Sequence, residues 1–186
     1  MDTKKTHRGV SKREWLETGL KYLSERGVSG VKVERLAQAL GIARAGFYWH
    51  FKSRDEMLRQ LLDYWVHEST ETVTANADLL ALEPKKRLTK TAEMVHKYDL
   101  GRYDMAIRQW ALKDAEAARA VRKVNRLRLS FLRDTFCELG FTGDDADMRT
   151  MLFFCYHTWE SSTFPEISRK QRRELIAKRI ELLTRR

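Results

Sequence analysis

Apolar residues recur at intervals of three and four along most of the chain, the spacing that indicates helices. The first helix is expected to begin at Ser11, because the run Ser11-Lys12-Arg13-Glu14 can form a capping box. It is expected to end at Gly27, since glycine readily takes the left-handed conformation that closes a helix. Trp15, Leu20 and other apolar residues between these ends form one buried face.

Two short helices follow, one from about Lys32 to Leu40 and one from Ala43 to Trp49. Gly41 lies in the turn between them, and Ala37 is small enough for the two helices to come close. Apolar residues such as Ile42 stand on both sides of the turn. This arrangement predicts a helix-turn-helix motif, in which the second helix can enter the major groove of DNA.

The rest of the chain also has a helical pattern. A second possible capping box, Ser53–Glu56, predicts a long helix that runs to about Asn76. Further helices are predicted from Pro84 to about Tyr98, Asp104 to Leu112, Ala115 to Leu139, Asp145 to Thr163 and Ser168 to Arg186. Glycine (9) and proline (2) are too scarce in 186 residues for a turn-rich β fold. The sequence therefore predicts an all-α protein of about nine helices.

The composition is that of a globular protein, with 42% apolar and 33% charged residues. Two cysteines cannot build a disulfide framework, and a reducing cytoplasm suits them. The longest apolar stretch, Thr150–Trp159, is too short to cross a bilayer, and the charged N-terminus has no apolar segment behind it to make a signal peptide. A cytoplasmic location without membrane contact is therefore expected.

Positive charge is concentrated near the N-terminus. The chain carries a formal charge of +10. Residues 1–54 contain 12 Lys and Arg against 5 Asp and Glu, whereas residues 55–186 contain 24 against 21. Because a basic surface attracts polyanions, the first 54 residues are the expected site of nucleic-acid contact.

No enzyme motif is apparent. The five histidines show no HxxxH or HExxH pairing, and the chain has neither a GxSxG motif nor a glycine-rich phosphate loop. We therefore expect a protein that is not an enzyme and that has no metal or cofactor.

The stretch Gly41–Arg54, and Phe47-Tyr48-Trp49-His50-Phe51 in particular, resembles the recognition segment of the TetR (tetracycline repressor) family of bacterial regulators. The resemblance covers about Val10 to Leu62. It implies an N-terminal three-helix DNA-binding domain joined by a long helix to a helical dimerisation and effector domain. The family often has Ser or Thr at the positions of Lys32 and Ala43, so two helix caps are expected to be missing here.

The resemblance and the chemistry of the side chains together predict a DNA-binding surface. Arg44, Ala45, Gly46 and Tyr48 are placed to read bases, since arginine bonds to guanine edges and small residues allow close approach. Other candidates contact the phosphate backbone or flank the groove. The full set of expected DNA-binding residues is Lys32, Arg44, Ala45, Gly46, Tyr48, Trp49, His50, Lys52 and Arg54.

Some of these residues have a second interpretation. Trp49 is either a groove contact or an exposed surface aromatic, and His50 is either a phosphate contact or a structural histidine. The basic arm Lys4–Arg8 is a further candidate for contact with the DNA backbone or minor groove.

The predicted domains are residues 1–54, with a basic arm at 1–10, and residues 55–186. The second would supply a dimer interface and, as the resemblance implies, an effector pocket, although aromatic residues at helical spacing are more often core. The candidate interface residues are Met151, Phe154, Cys155, Trp159, Leu175, Ile176 and Ile180. The candidate pocket residues are Trp65, Met94, Tyr98, Tyr103, Trp110 and Trp159.

These expectations combine into one hypothesis: a dimeric repressor that binds double-stranded DNA at an inverted repeat and is released by a small-molecule effector. The alternative is a helical adaptor whose basic N-terminal module binds RNA or protein.

Overall fold

The computed structural model describes residues 9–164 and 166–185, and all regular structure in these two stretches is helical. The α-helices are α1 (Lys12–Arg26), α2 (Val33–Ala39), α3 (Arg54–Val66), α4 (Thr72–Thr74), α5 (Ala77–Leu80), α6 (Pro84–Lys97), α7 (Asp104–Ala111), α8 (Ala115–Glu138), α9 (Gly143–Thr163) and α10 (Arg169–Thr184). Helices of the 3-10 type lie at Val28–Gly30 and Arg44–Trp49. The predicted all-α class is confirmed. None of these helices is long and apolar enough to cross a membrane.

The predicted long helix is a single rod made of three segments. α3 continues through a π-helical turn, His67–Glu71, into α4, so the rod spans residues 54–74. With this rod counted as one helix and the 3-10 helix Arg44–Trp49 counted as another, all nine predicted helices are present among the described residues. The short helix α5 was not predicted.

The predicted helix starts are largely present. The Ser11 hydroxyl accepts a hydrogen bond from the Glu14 backbone N–H, and the Glu14 carboxylate accepts one from the Ser11 N–H at 2.7 Å. At α3 only half of the expected box forms. The Ser53 hydroxyl caps the helix, but the Glu56 carboxylate accepts from the backbone N–H of Lys52 instead.

One hydrophobic core joins the first three helical segments to α3 and extends into the body of the protein. Trp15 and Phe47 are fully buried and meet edge to face, with ring centroids 5.4 Å apart. Gly19 allows α1 to lie close to α3, because a Cβ atom there would stand 2.7 Å from the Cε of Met57. Buried Val124 of α8 belongs to the same core, so the N-terminal helices are packed onto the body.

A second core lies between α5, α6, α8, α9 and α10. It contains Phe136 and Phe153, and α10 packs against α6 of the same chain. Ile176 and Ile180 of α10 belong to this core and are only 3% and 2% exposed. Their side chains are already covered by their own chain, which argues against contact with a second copy, and their place in a dimer interface stays a prediction.

A buried ion pair holds the rod, α7 and α8 together. The Arg128 guanidinium binds the carboxylate of Asp104, a residue with no exposed surface. Asp104 also accepts a hydrogen bond from the Trp65 indole at 3.1 Å, and Arg128 donates to the Thr70 hydroxyl at 2.9 Å. Arg128 donates in addition to the backbone carbonyl and hydroxyl of Ser69 in the π-helical turn.

Candidate nucleic-acid interface

The 3-10 helix Arg44–Trp49 is held in place by the turn before it and by one buried aromatic ring. Gly41 has a φ of 68°, a conformation that favours glycine, and the Ile42 N–H then bonds back to the Ala37 carbonyl at 3.1 Å. Phe47 is fully buried beneath the helix. This short helix is therefore supported from inside while its other side chains face outward.

The outward side of this helix exposes two large aromatic residues. Trp49 is 87% exposed and Tyr48 is 52% exposed, although aromatic side chains normally bury most of their surface. Ala45 is also exposed and Gly46 is half-buried, so the small side chains of these two residues leave the backbone of the helix accessible. Both interpretations of Trp49 remain compatible with this exposure, and its role in DNA binding stays a prediction.

Arg44 is held on this surface by two neighbours. Its guanidinium lies 3.0 Å from the Glu34 carboxylate and donates to the Tyr48 hydroxyl at 3.1 Å. The hydrogen bond to Tyr48 and the charge of Glu34 raise the pKa of Arg44. Sequence analysis missed Glu34, because an acidic residue in the first turn of a helix is ordinarily explained by the helix dipole.

We expect Glu34→Gln to raise the affinity for every duplex about two- to fivefold. The change removes a negative charge that would stand beside the phosphates, and it releases Arg44 from its ion pair. Fluorescence anisotropy with a labelled duplex measures the effect. Glu25→Gln, an equal charge change on the exposed surface of α1, is the matched control. Equal effects from both variants would show that net charge, rather than the contact with Arg44, is responsible.

His50 and Arg54 are engaged by the fold. The Nε2 atom of His50 lies 2.8 Å from the Val10 carbonyl, which supports the structural interpretation of this histidine. Arg54 donates through Nε to the Val31 carbonyl at 2.6 Å and through Nη2 to the Val28 carbonyl. These contacts argue against the phosphate contact expected for Arg54, because its guanidinium ties the start of α3 to the preceding 3-10 turn.

The two candidate lysines remain exposed. Lys32 precedes α2 and forms no side-chain cap, and Ala43 forms none before the 3-10 helix, as expected from the departures in the sequence. Lys52 is also exposed. Both ammonium groups can reach a phosphate, and their contacts with DNA stay predictions. The arm Lys4–Arg8 lies outside the described residues.

An open groove separates α1 from the corner between α6 and α7. It has a volume of about 690 Å³ and is lined by four of the predicted pocket residues, Trp65, Met94, Tyr98 and Tyr103. A smaller apolar chamber of about 60 Å³ lies between the rod, α6, α8 and α9, and it shares Ser69 and Leu100 with the groove. Trp110 and Trp159 line neither space.

His96, His157 and Glu160 come together next to this chamber, with one potential ligand atom of each within 4.8 Å of the others. The charges around them do not suit a cation. Arg179 lies 3.3 Å and Arg172 lies 3.7 Å from the Glu160 carboxylate, so two guanidinium groups already neutralise it. We therefore assign no metal to this cluster.

α9 presents an apolar stripe to solvent. Its exposed members recur at helical spacing and are Met148, Met151, Leu152, Cys155 and Trp159. Three of them were predicted as interface residues, whereas Met148 and Leu152 were not. Two other predicted interface residues, Phe154 and Leu175, are half-buried, and Phe154 lines the chamber.

Residues 16–61 match the family model described as bacterial regulatory proteins, tetR family. The tetracycline repressor protein class C of Escherichia coli is 35% identical over 48 residues, which cover 26% of this chain and 22% of that protein. An uncharacterised HTH-type transcriptional regulator of Bacillus subtilis, YerO, is 25% identical over 79 residues, covering 42% of this chain and 27% of YerO. The chain thus spans about a quarter of the length of these two relatives.

Several solved structures share the whole fold. A transcriptional regulator from Rhodococcus sp. Rha1 superposes with a TM-score of 0.72 at 15% identity, covering 94% of this chain and 96% of that one. AibR in complex with isovaleryl coenzyme A and operator DNA gives 0.68 at 17% identity, covering 93% and 97%. The superantigen PfiT also gives 0.68, at 19% identity, covering 92% and 94%. At these identities the likeness concerns the fold alone.

Proposed function

We propose that this chain, whose residues 16–61 match the model of the tetR family of bacterial regulatory proteins, is a cytoplasmic repressor of that family that binds an inverted-repeat operator as a homodimer. The observation that carries the proposal is the 3-10 helix Arg44–Trp49. Buried Phe47 fixes this helix on the core, and the opposite side of the helix is exposed to solvent. Residues 1–54 would bind DNA, and residues 55–186 would dimerise and respond to an effector.

The exposed groups divide into two kinds of contact. Arg44 and Tyr48 have the donors and the ring that can read base edges in the major groove. Lys32 and Lys52 supply positive charge for phosphates, which fixes the position of the protein but carries no sequence information. Arg44 can meet a guanine only after its contact with Glu34 is released or shared, so Glu34 would influence recognition.

The stripe on α9 is the proposed dimer interface. A contiguous stripe of exposed methionine, leucine and tryptophan side chains is typical of a surface that another protein covers. The partner proposed here is a second copy of the chain, because helix-turn-helix proteins usually bind two half-sites about one helical turn apart. A dimer formed through this stripe would carry two copies of the 3-10 helix, one for each half-site.

We expect Leu152→Glu to convert the dimer into a monomer and to weaken operator binding about a hundredfold, because the second half-site no longer binds intramolecularly. Light scattering would measure the mass and anisotropy the affinity. Leu112→Glu, at an equally apolar exposed position just after α7, is the control and should change neither. If the Leu152→Glu protein remained dimeric, the dimer interface could not lie on this stripe of α9.

The effector proposal rests on the chamber beside the rod. Its wall includes Ser69 of the π-helical turn, and only residues 50–53 separate the rod from the 3-10 helix. A ligand that favours one tilt of the rod would change the separation of the two recognition helices, but only in proportion to its difference in affinity for the two states. The structure of AibR, which contains both isovaleryl coenzyme A and operator DNA, supports a link between ligand and DNA in this fold.

Duplex titrations at two salt concentrations test the proposed function against the adaptor alternative. A repressor should bind a selected duplex far more tightly than a random one. Its affinity for both should fall steeply with salt, because phosphate contacts release counterions. Equal affinity for selected and random duplexes, or a preference for RNA, would favour the adaptor instead.

A further inference from the structure

Glu160 is a buried acidic residue at the point where α6, α9 and α10 meet. Its side chain has no exposed surface. Its carboxylate lies 3.0 Å from Nε2 of His96 on α6 and 3.3 Å from the guanidinium of Arg179 on α10. The hydroxyl of Tyr156, one turn earlier on α9, donates a hydrogen bond to it at 2.8 Å. One carboxylate therefore connects three helices.

Two arginines of α10 bring positive charge to this point. The Arg172 guanidinium lies 3.7 Å from the Glu160 carboxylate, and its Nη1 atom is buried without a hydrogen-bond partner. The Arg179 guanidinium also stacks on the Tyr156 ring, 4.0 Å from the ring centroid. Since one carboxylate faces two guanidinium groups, positive charge is in excess here, and a further buried positive charge would be unfavourable.

Two histidines lie beside this excess of positive charge. The rings of His96 and His157 are 5.4 Å apart, and Nε2 of His96 and Nδ1 of His157 are buried without a hydrogen bond. Burial, together with Arg179 and His96, lowers the pKa of His157 to about 3. Burial also lowers the pKa of His96, and Arg179 and Arg172 act in the same direction, against the charge of Glu160. The folded protein therefore favours the neutral form of both rings.

The groups that face these two rings come from several elements. They are Tyr156 and Glu160 of α9, Arg172 and Arg179 of α10, Asp99 after α6 and, across the chamber, the ion pair of Asp104 on α7 with Arg128 on α8. Histidine is the one side-chain type among them whose ordinary pKa, about 6.5, lies between pH 5.5 and 7.5. We call His96, His157, Glu160, Arg172 and Arg179 the Glu160 cluster.

We propose that the Glu160 cluster is a pH-sensitive switch that holds α10 on α6 and α9 at neutral pH and releases it in mild acid. While α10 is in place, a proton on either histidine would add to a buried excess of positive charge. When α10 moves away, Arg172 and Arg179 move with it, and the histidines can take up protons at their ordinary pKa of about 6.5. The contact is fully present above that pH and weakens as the pH falls below it, because the released form binds more protons.

Hydrogen exchange of the full chain, followed by mass spectrometry, measures the opening of α10. Protection factors, corrected for the pH dependence of the intrinsic exchange rate, should fall about ten- to a hundredfold in α10 between pH 7.5 and 5.5, about tenfold for each histidine that takes up a proton. Protection of α1, which lies in the other core, should change by less than about threefold. Unchanged protection of α10 would overturn the proposal. So would an equal loss in α1, because the whole chain would then be unfolding.

Variants of the two histidines test which groups take up the protons. The double variant His96→Gln, His157→Gln should show a protection of α10 that no longer depends on pH in this range. His67→Gln, which removes an exposed histidine from the π-helical turn, is the control and should keep the original dependence. A double variant that kept it as well would contradict the proposal. The measurement on the unaltered chain does not require the double variant to fold.

A variant of the acid tests the contact at neutral pH. Glu160→Gln should lower the protection of α10 at pH 7.5 at least about tenfold, because the two guanidinium groups lose their counter-charge. Glu174→Gln, an equal charge change on the exposed surface of α10, is the matched control and should have little effect. Equal protection in both variants would show that Glu160 does not hold α10. These measurements use neither DNA nor a ligand, so their outcome is independent of the proposed function.

Discussion

Asp104→Asn is expected to lower the free energy of unfolding by about 3–5 kcal/mol. The substitution keeps the shape of the side chain but leaves the Arg128 guanidinium, whose side chain is 16% exposed, without its counter-charge. It also weakens the acceptor for the Trp65 indole, so one change loosens the rod, α7 and α8 together. Urea denaturation followed by circular dichroism would measure the loss as a shift of the midpoint.

Asp63→Asn provides the matched control, since it removes an equal charge from the exposed surface of α3. A surface substitution of this kind should change the free energy of unfolding by less than about 0.5 kcal/mol. If Asp104→Asn cost no more than Asp63→Asn, the ion pair would contribute nothing to holding the rod against the body. The proposed link between the chamber and the DNA-binding helices would then lose its mechanical basis.

The second large effect is expected at the DNA surface. Arg44→Ala should reduce the preference for the selected duplex over a random one about ten- to a hundredfold, since the proposed bidentate contact with guanine would be lost. Lys52→Ala should weaken binding to both duplexes alike and lower the slope of the salt dependence by about one. Parallel anisotropy titrations on both duplexes separate the two outcomes. Equal losses of specificity from both variants would contradict this division between base reading and phosphate contact.

The elements with strong local signals could be predicted from sequence. The capping box at Ser11, the glycine turn at Gly41 and the apolar stripes of the long helices are encoded by residues a few positions apart. The recognition segment was found for the same reason, because its specific residues are contiguous. The length of the rod was predicted from its apolar spacing. Its π-helical turn was not predicted, because such a turn leaves the apolar spacing almost unchanged.

The features that were missed depend on contacts between distant residues. His50 reaches the Val10 carbonyl across 40 positions, and Arg54 reaches that of Val31 across 23, so their structural roles cannot be read from spacing. The apolar pattern of α10 shows that Ile176 and Ile180 share a buried face, but it does not show whether the same chain or a second copy covers them. His157 lies beside the chamber only because the rod, α6, α8 and α9 converge there.

The central claim is that two copies of the 3-10 helix Arg44–Trp49 read a duplex about one turn apart. Selection of binding sites from a random duplex pool, followed by sequencing, tests it most directly. The account predicts enrichment of an inverted repeat whose half-sites are centred about 10 base pairs, or a multiple of that distance, apart. A pool that stays random after several rounds, or that yields a single unpaired half-site, would contradict it.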